Sequence, residues 1–214
     1  MNQSTIKVAC IGDSITKGYG LANPEEESYP AQLQKLLGDE YEVRNFGANG
    51  RTLLRYTLAP YSATDECWDA LDYCADIAII GLGTNDMLPG NIDEHESEFV
   101  EDYMALINAL LCGNPDMKLY LLLPYCSKIK GIEQEYMDRW FNHIKELFYQ
   151  VATECGPAVV DVIKQFYEDQ ANNPALIPDG VHPGKYGSIV IASITLKKSN
   201  NQPFRNDKTL GYRY

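Results

Sequence analysis

The chain alternates short apolar runs with longer stretches in which apolar residues recur every three or four positions. Continuous apolar runs are typical of strands buried on both faces, and strict alternation is typical of a half-buried strand. These two patterns predict strands at 6–11, 41–46, 76–82, 118–123 and 158–162. The helical periodicity is clear at 29–37, 98–112, 133–154 and 186–197, and weaker at 52–56, 65–73 and near 163–167. Strands that alternate with helices predict a parallel sheet with right-handed crossovers and helices on both faces.

The length favours a single domain. A chain of 214 residues that folds as one unit buries about 70% of its unfolded surface, so its core needs no disulfides. The six cysteines form no Cys-x-x-Cys pair and have no zinc-site spacing to a histidine. No internal repeat or linker interrupts the pattern, so we predict one domain over residues 1–198 and a polar tail of unassigned role over residues 199–214.

The charge and the termini exclude several classes of partner. The formal net charge is −12, and an acidic surface repels phosphates, which argues against nucleic acid and anionic membranes. No apolar run is long enough to span a bilayer. The first five residues lack the basic and apolar regions of a secretory signal, and we therefore expect a cytoplasmic protein. The sequence carries no prediction of oligomeric state.

Candidate chemistry lies where the predicted strands end. Ser14 follows the first strand within Gly12-Asp13-Ser14, Gly47 follows the second, and Asn85 follows the third. The carboxyl ends of parallel strands meet at one edge of a sheet, so these three loops converge. A late loop adds Asp179 and His182. It reaches the same edge if the final helix packs back beside the first strand.

These residue types suit acyl transfer. A serine hydroxyl becomes a good nucleophile when a base takes its proton, and a carboxylate can orient that base. His182 lies in a turn-rich loop three residues after Asp179, whereas His95 lies in an acidic surface segment and His143 lies on a predicted helix. Three groups could donate to the oxyanion: the N–H of Ser14, the N–H of Gly47 and the amide of Asn85.

Each residue also has a structural interpretation. Ser14 could be a helix N-cap, Gly47 a turn glycine, and Asn85 an Asx-turn residue. Asp179 could brace its loop while a backbone carbonyl orients His182. These alternatives stay open at the level of the single motifs.

The four segments together resemble the SGNH (GDSL) hydrolase family. The resemblance rests on Gly12-Asp13-Ser14, Gly47, Gly83-Thr84-Asn85-Asp86 and Asp179-Gly180-Val181-His182-Pro183, in this order over nearly the whole chain. Within the family, the stretches 8–19, 41–54, 82–87 and 177–184 look most like small carbohydrate acetylesterases of the sialate-O-acetylesterase and xylan-acetylesterase type.

The resemblance implies a flavodoxin-like three-layer α/β/α fold with a five-stranded parallel sheet in the order 2-1-3-4-5. It also implies a serine esterase that removes small acyl groups, acetyl above all, from carbohydrates without a metal or cofactor. Ser14 would be the nucleophile, His182 the base and Asp179 its orienting group. The oxyanion hole would consist of Ser14, Gly47 and Asn85.

Five further residues are candidates for contact with a small-molecule or oligosaccharide ester. They follow catalytic or strand-end positions, although a structural role in bracing turns is the stronger interpretation for the two aspartates; the five are Asp13, Arg51, Asp86, Met87 and Tyr125. Two other functions stay open. One is a lysophospholipase or thioesterase that acts on longer acyl chains, and the other is a noncatalytic carbohydrate-binding protein with the same fold.

Overall fold

A computed structural model describes residues 5–125, 130–163, 166 and 174–200 of the chain. Within this part, five strands form one sheet in which every neighbouring pair is parallel. The strands are β1 (Ile6–Gly12), β2 (Tyr41–Gly47), β3 (Ile77–Gly81), β4 (Lys118–Leu122) and β5 (Ala158–Val160). Their order across the sheet is β2-β1-β3-β4-β5, which confirms the predicted topology.

Helices connect the strands and cover both faces of the sheet. Among the described residues, four helices have nine or more residues: α3 (Tyr29–Leu37), α6 (Phe99–Gly113), α7 (Gln134–Cys155) and α8 (Lys185–Asn200). Shorter helices are α1 (Ser14–Lys17), α2 (Pro24–Glu27), α4 (Asp65–Asp72) and α5 (Ile92–His95). Helices α4, α6 and α7 pack side by side in one layer, and α3 packs against α8 in the other.

The register of the sheet sets the position of the site. Gly12, near the end of β1, is paired with Gly47 on one side and with Gly81 on the other. The loops after these three strands therefore leave the sheet at the same level. Since β1 and β3 are neighbours and the chain order reverses between them, this edge is the switch point where open α/β sheets bind ligands.

The final helix brings the late loop to this edge by a route that differs from the prediction. Helix α8 was expected to lie beside β1, but its most extensive packing is against α3. The apolar residues Ile191 and Ala192 of α8 are buried, as is Leu33 of α3. Because α3 links β1 to β2, packing on α3 still places the start of α8 near the carboxyl end of β1.

The prediction of a helix at residues 52–56 is wrong. The segment is a loop, closed by a bridge between Thr52 and Pro60. Side chains distant in sequence accept its backbone N–H groups: Asp86 accepts from residues 53 and 54, and Asp102 accepts from Arg55. The two carboxylates therefore hold the backbone of this loop from outside the segment, in a conformation that is not helical.

Two predicted segments extend beyond the described residues. The short helix near 163–167 falls partly outside them, with Ile163 and Phe166 assigned as helical, and the tail lies outside from residue 201 onward. Within the described part, no helix combines the length and apolarity needed to cross a bilayer. The cytoplasmic location stays a prediction from the sequence.

Candidate active site

Ser14 is the first residue of a single helical turn that begins directly after β1. Asp13 caps this turn by accepting a hydrogen bond from the Ile15 N–H at 2.9 Å, and Gly18, with φ of 88°, ends it in the left-handed conformation. As in any first turn, the N–H of Ser14 has no acceptor within its own helix. The cap of this helix is thus Asp13, which leaves the Ser14 hydroxyl available for another partner.

The loop before α8 is held together by Asp179. One oxygen of its carboxylate accepts the backbone N–H groups of Val181 and His182 at 2.9 and 2.7 Å. The other oxygen lies 2.7 Å from Nδ1 of the His182 ring. Gly180 between them has a φ of 87°, a conformation that favours glycine. Asp179 therefore fixes both the backbone of the loop and the orientation of the imidazole.

The two loops meet at the catalytic candidates. Nε2 of His182 lies 2.9 Å from Oγ of Ser14, although the residues are 168 positions apart in the chain. With the Nδ1 proton donated to Asp179, the Nε2 lone pair accepts the hydrogen bond from the serine hydroxyl. The three side chains form a continuous chain of hydrogen bonds from carboxylate to imidazole to hydroxyl.

The carboxylate of Asp179 is placed to remain ionised. Partial burial raises its pKa, but hydrogen bonds from the His182 ring and from the N–H groups of His182 and Val181 outweigh this effect. The net result is a pKa below the ordinary value for aspartate. A negative charge at this position favours an imidazolium that forms beside it.

Gly47 is required here by close packing. A Cβ at this position would lie 2.3 Å from the backbone nitrogen of Lys17, so only glycine fits between β2 and the end of α1. The Gly47 N–H donates to Oδ1 of Asn45 at 2.9 Å, and the Asn45 amide donates to the carbonyl of Thr16 at 2.8 Å. In this structure the N–H of Gly47 therefore already has an acceptor.

The amide of Asn85 lies between two loops of the site. It donates to the carbonyl of Arg51 at 3.0 Å and to Oδ2 of Asp13 at 3.3 Å. The carbonyl of Asn85 accepts from the Asn91 amide at 2.9 Å. These contacts hold Asn85 beside the residue that precedes Ser14, and the bond to Asp13 is the longer of the two that its amide donates.

Two fully buried carboxylates lie beneath this edge of the sheet. Burial raises the pKa of Asp13 to about 7 and that of Asp86 to about 6. Hydrogen bonds from backbone N–H groups lower both pKa values in part: Ile15 donates to Asp13, and Leu54 donates to Asp86. The charge of Asp86 also raises the pKa of Asp13. Both groups hold backbone in place: Asp13 caps α1, and Asp86 fixes the loop after β2.

The five candidates for substrate contact differ in how far they are buried. Asp13, Asp86 and Met87 are completely buried, so contact of these three with substrate is not supported. For the two aspartates the structure agrees with the stronger interpretation, that they brace turns. Tyr125 is nearly buried and stacks on Phe166 with ring centroids 5.1 Å apart. Arg51 is partly exposed, and its carbonyl touches Asn85.

Sequence reasoning missed two residues that contact the site. The ring of Tyr19 lies against that of His182, with centroids 4.7 Å apart and the planes tilted by 49°. Asn45 joins the end of β2 to α1, as described above. Each left a faint signal, since Tyr19 stands between two glycines shortly after Ser14, and Asn45 is a polar residue within a strand pattern two positions before Gly47.

Comparison with known proteins places this geometry in a family. A profile of the GDSL-like lipase/acylhydrolase family matches residues 10–188. The chain belongs to this family. The match extends from the end of β1 into α8, so it includes all the loops of the candidate site. It confirms the resemblance drawn from the four sequence segments.

Two individual relatives are named as esterases. An acetylxylan esterase from Xylanibacter ruminicola is 31% identical over 211 residues; the match covers 90% of this chain but only 42% of that relative. The chain thus spans less than half the length of this curated relative. An acetylxylan esterase from Geobacillus stearothermophilus, Axe2, is 26% identical with a TM-score of 0.62, over 92% of this chain and 96% of its own.

A more distant structure shows the same fold. A member of the lipolytic G-D-S-L family from Veillonella parvula has a TM-score of 0.68 at 16% identity, over 90% of this chain and 97% of its own.

Proposed function

We propose that the chain is a serine esterase that hydrolyses small acyl esters of carbohydrates, acetyl esters above all. The observation that carries the proposal is the 2.9 Å contact between Oγ of Ser14 and Nε2 of His182, with Asp179 on the other ring nitrogen. Two relatives named as acetylxylan esterases support the acyl group and the substrate class.

The reaction follows from these contacts in two halves. Ser14 Oγ attacks the ester carbonyl carbon while its proton passes to Nε2 of His182, and Asp179 stabilises the imidazolium. The tetrahedral intermediate collapses when the C–O bond to the sugar breaks, and the sugar oxygen takes the proton from His182. Water then attacks the acyl-enzyme with His182 again as base, which releases the acid and restores Ser14.

The negative oxygen of the tetrahedral intermediate needs preorganised donors. The N–H of Ser14 is one, because it has no acceptor within its helix. Asn85 supplies a second donor. The amide N–H that donates to Asp13 at 3.3 Å would donate to the oxyanion instead. Gly47 contributes the third when its N–H is shared between Asn45 and the oxyanion. This assignment makes Asn85 the donor whose loss is expected to slow the chemical step.

A preference for short acyl groups agrees with a small apolar cavity next to the site. Its lining includes Ile15, the residue after Ser14, and Pro183, the residue after His182, and its volume is about 20 Å³. That volume is close to the minimum that holds one water molecule, so it suits a methyl group rather than a long chain. A lysophospholipase or thioesterase of the kind left open by the sequence would need a longer apolar channel.

The test is the Ser14→Ala variant, assayed for release of p-nitrophenol from p-nitrophenyl acetate and of acetate from acetylated xylan. We expect kcat to fall by about 10⁴ or more, because the variant lacks the nucleophile. Ser62→Ala, which changes an exposed serine on the turn before α4, serves as the matched control and should keep full activity. Full turnover by Ser14→Ala would disprove the mechanism.

An acyl-length series decides the alternative. Rates that are highest for acetyl and fall beyond butyryl support the proposal, whereas a maximum beyond about eight carbons would favour the long-chain hydrolase. A noncatalytic carbohydrate-binding protein would show neither turnover nor labelling of Ser14 by a fluorophosphonate.

A further inference from the structure

A groove of about 640 Å³ runs along the surface beside the candidate active site. One wall is the chain that follows Ser14, including Lys17, Tyr19 and Glu25, and the other is the end of β2 and the loop after it, including Arg44 and Asn49. Ligand sites have volumes of about 300–1,000 Å³, so the groove is large enough for a ligand that extends well beyond an acetyl group.

One wall of the groove continues directly from the helical turn that carries Ser14. The N–H groups of Gly18 and Tyr19 donate to the carbonyl of Ser14 at 3.0 and 2.9 Å, so the wall is a direct continuation of the nucleophile's helical turn. At the end nearest the base, the ring of Tyr19 contacts the ring of His182. A molecule bound at this end of the groove would therefore lie close to the imidazole ring of His182.

Tyr19 gives this end of the groove an aromatic surface. The residue is 56% exposed although its ring contacts His182, so ring surface remains open to a ligand. The face of an aromatic ring carries partial negative charge and attracts the polarised C–H groups of an apolar ligand surface. A pyranose presents such C–H groups on its face and hydroxyls around its rim, which suits an aromatic floor with polar walls.

The cations in the walls of the groove are paired with carboxylates. The Lys17 ammonium lies 3.4 Å from Glu66, and the Arg44 guanidinium lies 2.6 Å from Glu42. Glu25 adds a carboxylate to the wall, and Asn49 adds an exposed amide that can donate and accept. Because each cation already has a carboxylate partner in a protein of net charge −12, the groove offers no excess positive charge to an anionic ligand.

We propose that this groove binds the neutral sugar chain attached to the esterified unit, with Tyr19 beneath the sugar nearest the ester. This inference rests on the proposed esterase function and specifies its substrate: an acetylated chain of neutral sugars rather than an acetylated uronic-acid chain or a sialic acid. The sugar chain would lengthen the contact surface while the acyl group stays at Ser14.

The first experiment compares two esters in the wild type and in two groove variants, Tyr19→Ala and Asn49→Ala. For acetylated xylotetraose the variants should lose about tenfold more kcat/KM than for p-nitrophenyl acetate, which has no sugar chain. Tyr149→Ala is the control, since Tyr149 is an exposed aromatic on α7 near β5, at the opposite edge of the sheet from the groove. Equal losses on both esters would overturn the proposal.

The second experiment measures binding without turnover, because Tyr19 touches His182. Unesterified xylotetraose and trigalacturonate are titrated by calorimetry into the Ser14→Ala variant, alone and combined with Tyr19→Ala. We expect the neutral chain to bind at least tenfold more tightly than the acidic one, and this affinity to fall about tenfold without the Tyr19 ring. Equal affinity for both chains, or no effect of the ring, would refute the neutral-chain groove.

The two experiments separate failure of the groove from failure of the esterase. If the wild type hydrolyses p-nitrophenyl acetate and the variants show no selective loss on the longer ester, the groove is wrong and the esterase function stands. If the wild type hydrolyses neither ester, the esterase function fails. The titration then still decides whether the groove holds a neutral sugar chain.

Discussion

The loop that carries Asp179 and the buried layer that carries Asp13 use the same side chain in opposite surroundings. Asp179 has a side chain 53% exposed and accepts hydrogen bonds from the His182 ring and from two N–H groups of its own loop, which lower its pKa. Asp13 is completely buried, and burial raises its pKa to about 7. Desolvation raises the pKa of both carboxyl groups, but in the first region several hydrogen bonds together outweigh it, whereas in the second they do not.

This difference in surroundings suits the exposed and the buried carboxylates to different roles at the site. In the proposed mechanism, an ionised Asp179 stabilises the positive charge that forms on His182. The buried carboxylates Asp13, Asp86 and Asp102 instead accept N–H groups and so fix the loops that carry Ser14, Arg51 and Arg55. The comparison indicates that changes at Asp179 act on the chemical step, whereas changes in the buried layer act first on stability.

The largest effect is expected for Asp179→Asn. An asparagine keeps the shape but cannot hold the same ring tautomer or the charge, so we expect kcat on p-nitrophenyl acetate to fall by up to about 10⁴. Asp39→Asn, which changes an exposed aspartate between α3 and β2, is the matched control. Unchanged activity in Asp179→Asn would mean that another group orients His182, the alternative that the sequence left open.

The next effect concerns Asp13 and has a defined pH dependence. Its pKa is higher in the folded protein, about 7, than the ordinary value near 4, so the folded state binds more protons between these pH values. The free energy of unfolding therefore falls as pH rises through this window, by about 4 kcal/mol at most from this group. Asp13→Asn removes the titration and should gain stability relative to the wild type from pH 4.5 to pH 7.5.

Urea unfolding at both pH values measures this difference. The variant and the wild type share all other titrating groups, so the difference between their unfolding curves reports Asp13 together with its interaction with Asp86. Asp39→Asn should follow the wild type at both pH values, because Asp39 is exposed. A constant difference between Asp13→Asn and the wild type would show that Asp13 ionises equally in the folded and unfolded states.

Asn85→Ala comes third and tests whether the site works as an oxyanion hole. Loss of one donor is expected to lower kcat by about 10²–10³, with a small change in KM, because the interaction strengthens only in the transition state. Asn91→Ala is the informative control. Its amide donates to the Asn85 carbonyl, so it removes support for the turn but no donor to the oxyanion. Equal losses in kcat for the two variants would assign Asn85 a purely structural role.

The sequence predicted most of this fold because its signals are local. The run that forms β3 is apolar throughout, and that of β1 is interrupted only by Lys7. The stripes of α6 and α7 follow helical periodicity, so each of these elements is visible within its own segment. The loop at 52–56 could not be predicted this way, because its hydrogen-bond acceptors Asp86 and Asp102 lie 32 to 47 residues further along the chain.

The residues of the candidate site also differ in whether their signal in the sequence is local. Ser14, Asp179 and His182 stand in short motifs that a sequence displays, and the spacing of Asp179 and His182 already fits one loop. The contact of Tyr19 with His182 joins residues far apart in the chain and leaves no motif. Gly47 shows a third case, in which the residue was predicted for its N–H but the packing against Lys17 is what demands glycine.

The smallest effect we expect is on stability, from Asp86→Ala. The carboxylate accepts the N–H groups of Leu53 and Leu54 at 3.0 and 2.9 Å, both in a buried environment. Removing it leaves two buried donors without their acceptor, at about 1–3 kcal/mol each, while the desolvation of the carboxylate itself is relieved. We therefore expect a net loss of about 2 kcal/mol in the free energy of unfolding, measured by urea at pH 7. Asp39→Ala, an exposed change, should cost less than about 0.5 kcal/mol. If Asp86→Ala is as stable as that control, the loop after β2 is held by other contacts, and the buried layer does not fix the edge of the site.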